Sequence, residues 1–97
     1  MVPVKRVEIV TGAIEFDMVV EVLSQFGIRD YLVHRDVVGV GGRRLASPDP
    51  LTGDFENRVI QTICPPDTID RLVEAIRPII RRYGGACIVY DAHCVVH

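Results

Sequence analysis

Helix-type periodicity interrupts this chain twice, and each time strand-type runs flank it on both sides. The clearer helical stretch is "DTIDRLVEAIRPIIRRYGG", residues 67–85, which puts Ile69, Leu72, Val73, Ile76 and Ile80 on one stripe. Arg81 and Arg82 suit the negative end of such a helix, and Gly84 can close it. Pro78 lies inside the pattern and predicts a kink or a separate short final helix. The other stretch, "EFDMVVEVLSQFG", residues 15–27, spaces Phe16, Val19, Val20 and Leu23 on one face, with Gly27 as its stop. The first strand run, "VKRVEIVT", alternates, with Val7, Ile9 and Thr11 on one face and Arg6, Glu8 and Val10 on the other. "DYLVHRDVVGV" and "NRVIQTIC" read as the second and third strands, and "ACIVYDAHCVV" as a fourth with a bend near Asp91. The predicted order is βαββαβ. It implies an α+β, ferredoxin-like fold, an antiparallel four-stranded sheet with two helices on one face.

That arrangement leaves one sheet face bare. The fourth strand is apolar on both sides, with Cys87 and Val89 on one and Ile88 and Tyr90 on the other. Two helices cannot cover both faces, so association of sheets about a common axis is expected. The length points the same way. At 97 residues the chain reads as a single domain, 1–97, and small domains are marginally stable alone. A net charge of −2 argues against a nucleic-acid partner. Nothing reads as a signal peptide or a membrane span, which predicts a cytoplasmic location. Three cysteines without a C-x-x-C predict buried thiols rather than disulfides.

The chemistry concentrates in "DVVGVGGRR", Asp36 to Arg44. Gly39, Gly41 and Gly42 remove Cβ atoms that would keep an anion from the backbone N–H groups. Arg43 and Arg44 then offer planar, permanently charged forks. No helix follows the glycines, and no Walker A lysine is present, so neither common nucleotide fingerprint applies. "YGGA" adds a second glycine pair, Gly84 and Gly85, where a helix stop needs only one.

Taken together, "VEIVTGAI", "DVVGVGGR" and "YGGACIVYDAHCV" resemble the PII signalling superfamily. The likeness is strongest to its PII-like branch of carboxysome-associated proteins and regulators of bicarbonate transporters. The resemblance spans nearly the whole chain and rests on the joint order of short motifs. It implies a homotrimer with adenine nucleotide bound in three inter-subunit clefts, and a mobile T-loop, about residues 41–56, that controls a partner. Carried over by position, Gly39, Gly41, Gly42 and Arg43 would line the phosphates, Thr11 the base or ribose, and Val59 the sugar. Gly84 and Gly85 would come from the adjacent edge. Arg44 and Arg58 are assigned as further anion contacts by charge and position, beside Arg43.

Departures from the nitrogen-sensing members narrow the ligand. Their Gly-Arg-Gln at the loop opening is replaced by Gly42, Arg43 and Arg44, and their Gly-Asp-Gly-Lys turn by "YGGACIV". AMP or ADP with bicarbonate therefore fits better than ATP with 2-oxoglutarate. The resemblance implies no catalysis and no catalytic cofactor. It suggests a bicarbonate transporter or a carboxysome-related protein as partner. Two alternatives stay open, a PII-fold metal-binding trimer and a small enzyme of the acylphosphatase type. Against the first, His93 and His97 share a strand face from which Cys94 points away, so no metal site is assigned. Against the second, the first turn, "TGAIEF", holds no arginine.

Overall fold

The computed structural model describes residues 1–37 and 57–96. Its elements run β1 (Val2–Gly12), α1 (Phe16–Gln25), β2 (Tyr31–Val37), β3 (Asn57–Cys64), α2 (Ile69–Tyr83) and β4 (Ala86–Cys94). This is the predicted βαββαβ order. The strands form one sheet in the order β2-β3-β1-β4, with every pairing antiparallel. β1 and β3 are the inner strands. β4 lies at an edge, so its doubly apolar character does not come from a central position.

The alternation of β1 fixes which face the helices cover. Val7 and Ile9 are fully buried beneath α1 and α2, with Ile60 and Cys64 of β3 on the same side. Val19 and Leu23 come down from α1, and Ile69, Leu72 and Ile76 from α2. Burying side chains of this size stabilises by about 1.5–3 kcal/mol each before chain entropy is set against it. Polar Thr62 sits in this layer at low cost. Thr62 is buried, and its hydroxyl donates to the Asp30 carbonyl at 2.7 Å, which ties β3 to the loop leading into β2.

One local expectation changes: no separate final helix follows Pro78, because α2 runs unbroken from Ile69 to Tyr83 with Pro78 inside it. Pro78 and Glu74 both lie on the exposed side, so the carbonyl that loses its helical donor can turn to water. β4 pairs with β1 continuously from Ala86 through Asp91 to Cys94. Lys5 and Asp91 form an ion pair across that register. β2 does contain an irregularity. His34 faces Val59 and Val37 faces Asn57, so three steps on β2 match two on β3. Such a bulge bends the strand near Val37, its last described residue.

Candidate functional site

One end of the sheet gathers most of the described residues that the sequence singles out. β1 finishes there with Thr11 and Gly12, which pair with Arg58 and Asn57 at the start of β3. Val37, the last residue of β2, also pairs with Asn57. The turn between α2 and β4 reaches the same place, because Ala86 pairs with Val10. Val37 and Asn57, the described residues on either side of 38–56, therefore both lie at this rim. Gly39, Gly41, Gly42, Arg43 and Arg44, and the T-loop placed at about 41–56, lie outside the described residues.

The two glycines of the turn do different work. Gly84 caps α2 with φ +88° and donates its N–H to the Ile80 carbonyl at 2.8 Å. Gly85 has φ +99°, and a Cβ there would stand 2.2 Å from the Val10 carbonyl oxygen. Its missing side chain is thus already required by contact with β1. The turn also follows the C-terminal end of a helix, which carries negative potential. An anion held here needs positive charge from arginines. Arg81 and Arg82 stand in the last turn of α2, and Arg58 is at the rim.

Side-chain direction divides the expected contacts. Thr11 is buried on the helix-covered face, and its hydroxyl donates to the Gly12 carbonyl at 2.6 Å. Arg58 pairs with Thr11 and shares that face. Its guanidinium stacks on the Phe16 ring, 4.6 Å from the centroid, at the first residue of α1. Val59 pairs with Val10 and His34, so it belongs to the opposite face. The fold brings Thr11, Arg58, Gly84 and Gly85 together at one rim, and separates Val59 from them across the sheet. Phe16 was legible only as part of a helical stripe. Its role under Arg58 depends on a pairing between distant strands, which no local pattern reveals.

The open face, where the alternation of β1 places Arg6 and Glu8, carries a polar belt. The Glu8 carboxylate accepts from Tyr90 Oη at 2.7 Å, from Gln61 Nε2 at 2.9 Å and from Arg6 at 3.0 Å. His34 Nε2 lies 3.1 Å from Gln61 Oε1 and extends the belt to β2. The hydrogen bonds from Tyr90 and Gln61, with the charge of Arg6, hold the Glu8 carboxyl below its usual range. Accepting that bond, Glu8 in turn pushes the Tyr90 phenol up. Exposed Leu32, Ile63 and Val2 flank this belt on the same face.

Among the described residues no three His, Cys, Asp or Glu side chains are grouped to hold a metal. No described helix is long and apolar enough to cross a membrane. A cavity of about 550 Å³ beside Arg6, Arg29 and Leu32 opens nearer the other end of the sheet, away from the glycine turn.

A family model described as "Nitrogen regulatory protein P-II" matches residues 4–96. No curated protein sequence matches the chain significantly. Among solved structures, the chain is similar to CPII, a nitrogen regulatory PII-like protein from Thiomonas intermedia bound to ADP, AMP and bicarbonate. That match has a TM-score of 0.80 at 19% identity, over 98% of this chain and 96% of CPII. CPII bound to ADP, AMP and acetate matches with a TM-score of 0.79 at 20% identity, over 94% and 87% of the two chains. A PII-like signalling protein from Thermus thermophilus matches with a TM-score of 0.70 at 21% identity, over 94% and 87%.

Proposed function

The chain belongs to the nitrogen regulatory protein P-II family, and on that premise we propose that it is a non-catalytic regulator that binds ADP or AMP in clefts between three identical chains. Bicarbonate is its second ligand, and the 41–56 T-loop is the element a partner reads. The observation that carries this reading is the convergence at one rim of Thr11, Arg58, Gly84 and Gly85 with Val37 and Asn57, which flank residues 38–56. A ligand seated there would touch the turn, the rim and the loop at once. The bound ADP, AMP and bicarbonate of CPII support the choice of ligands.

The residues that are present fit a nucleotide with a short phosphate chain. The turn brings no lysine, and the end of α2 is electrostatically unfavourable to phosphate. Arg43 and Arg44, with Arg58 at the rim, would supply the compensating charge. Bicarbonate and guanidinium are both planar, so two parallel hydrogen bonds can join them. Two anions repel, so they bind together favourably only by sharing arginines and a loop that orders once for both. That coupling is reciprocal and expected at about 1–3 kcal/mol. Regulation of inorganic-carbon uptake or storage in the cytoplasm is the setting this implies. A bicarbonate transporter or a carboxysome-related protein would be the partner.

The test is an ADP titration at fixed pH and ionic strength, with chloride replaced by bicarbonate or by nitrate. Bicarbonate should tighten ADP binding about five- to a hundred-fold while nitrate leaves it unchanged. An affinity indifferent to bicarbonate, or equally sensitive to nitrate, rejects bicarbonate sensing and leaves a plain adenylate binder. Arg43→Ala should weaken ADP binding about ten- to a hundred-fold. An unaltered titration curve would remove Arg43 from the site.

A further inference from the structure

On the helix side of the sheet, a groove of about 390 Å³ lies between α2 and the edge strand β4. It is lined by Val73, Arg77, Ile80, Arg81 and Cys87. Residues 73, 77, 80 and 81 recur at helical spacing and so share one side of α2. Cys87 follows the glycine turn by two residues and pairs with Ile9, which puts its side chain under the helices. Val73, Ile80 and Cys87 are half-buried and form an apolar floor, while Arg77 and Arg81 are exposed at the rim. No carboxylate lines this part of the groove. Arg77 is held by Glu74 at 3.1 Å, just outside it. Arg81 makes no hydrogen bond or ion pair among the described residues.

An apolar floor beneath two guanidinium groups selects an amphiphilic anion. We propose that this groove is a second ligand site, for a small carboxylate whose apolar body lies on Val73, Ile80 and Cys87 and whose carboxylate pairs with Arg81 and Arg77. The volume falls within the range of small-molecule sites. An arginine fork matches a carboxylate in two parallel hydrogen bonds, and a purely polar anion would leave the floor uncovered. The floor is dry enough that burial alone pushes the Cys87 thiol up. The groove opens on the helix side, so association through the open sheet face leaves it accessible. Its occupant would press on the first residues of β4, immediately after Gly84 and Gly85. The site adjoins the nucleotide rim, with Arg81 at the boundary, and its occupancy can be read without nucleotide.

Cys87 supplies the readout. The full-length protein is alkylated with iodoacetamide at mildly alkaline pH, and each cysteine is followed by peptide mass spectrometry. Octanoate should slow labelling of Cys87 at least about five-fold, saturably, and leave Cys94 unchanged. Octanol, which keeps the body and loses the charge, and inorganic phosphate, which keeps a charge and loses the body, should protect far less. Arg81→Ala, an exposed substitution, should raise the half-protecting octanoate concentration about ten- to a hundred-fold. Octanoate without effect at millimolar concentration overturns the proposal. So does equal protection by octanol or by phosphate, or an Arg81→Ala protein that behaves like the parent.

Discussion

Gly85 and Gly27 both adopt positive φ, yet they should respond very differently to a methyl group. At Gly85 (φ +99°) a Cβ collides with the Val10 carbonyl, and both groups are backbone that cannot swing aside. At Gly27 (φ +75°) a Cβ meets nothing within 4 Å, so only the left-handed conformation costs. Urea denaturation should show Gly85→Ala losing about 3 kcal/mol or more, and Gly27→Ala about 1 kcal/mol. Equal losses would mean that the turn does not press on β1. The sequence shows two adjacent glycines, but not which carbonyl crowds Gly85, because Val10 is 75 residues away along the chain. Glu8 poses a similar limit. Its alternation with Arg6 marks a polar strand face, but Gln61 and Tyr90 become its donors only through pairing. Because its folded value lies below the usual 4.5, Glu8 contributes stability that is complete above that value and is lost as pH falls through the folded one. Asp91 is held low by Lys5 and adds in the same direction, from its usual 3.8 downward. Glu8→Gln should therefore flatten the acid limb of the stability profile below about pH 5. An unchanged acid limb would show that the belt does not hold the ionised carboxylate.

Among the elements, the alternation of β1 and the stripe of α2 were fully legible, because each is a local period imposed by one buried face. Val7, Ile9, Leu72 and Ile76 are fully buried as those periods require. The continuity of α2 through Pro78 was not legible. A sequence shows the missing donor but not that the orphaned carbonyl faces solvent. Pro78→Ala should restore that hydrogen bond and raise stability by about 1 kcal/mol, read as an increase in the urea midpoint at constant slope. A decrease would show that the proline's restriction of the unfolded chain outweighs the missing bond. The bulge between His34 and Val37 was equally hidden, since it is a mismatch between two strands and not a property of either. Gly39 to Arg44, which most suggest an anion site in the sequence, lie outside the described residues.

For the whole molecule, the open face remains the strongest argument for assembly. It combines exposed Leu32 and Ile63 with a hydrogen-bonded belt that crosses all four strands. Buried between copies, a belt already hydrogen-bonded within its own chain could be covered with few polar groups left unpaired. In the proposed function, adenine nucleotide sits between chains of such an assembly. Sedimentation velocity monitored at the adenine absorbance tests it directly, because the chain has no tryptophan and only three tyrosines to compete with the signal. With ADP and bicarbonate present, the nucleotide should move with a species of about three times the 10.8 kDa chain mass, at one ADP per chain. ADP left behind at the meniscus, or carried by a species of single-chain mass, would contradict it.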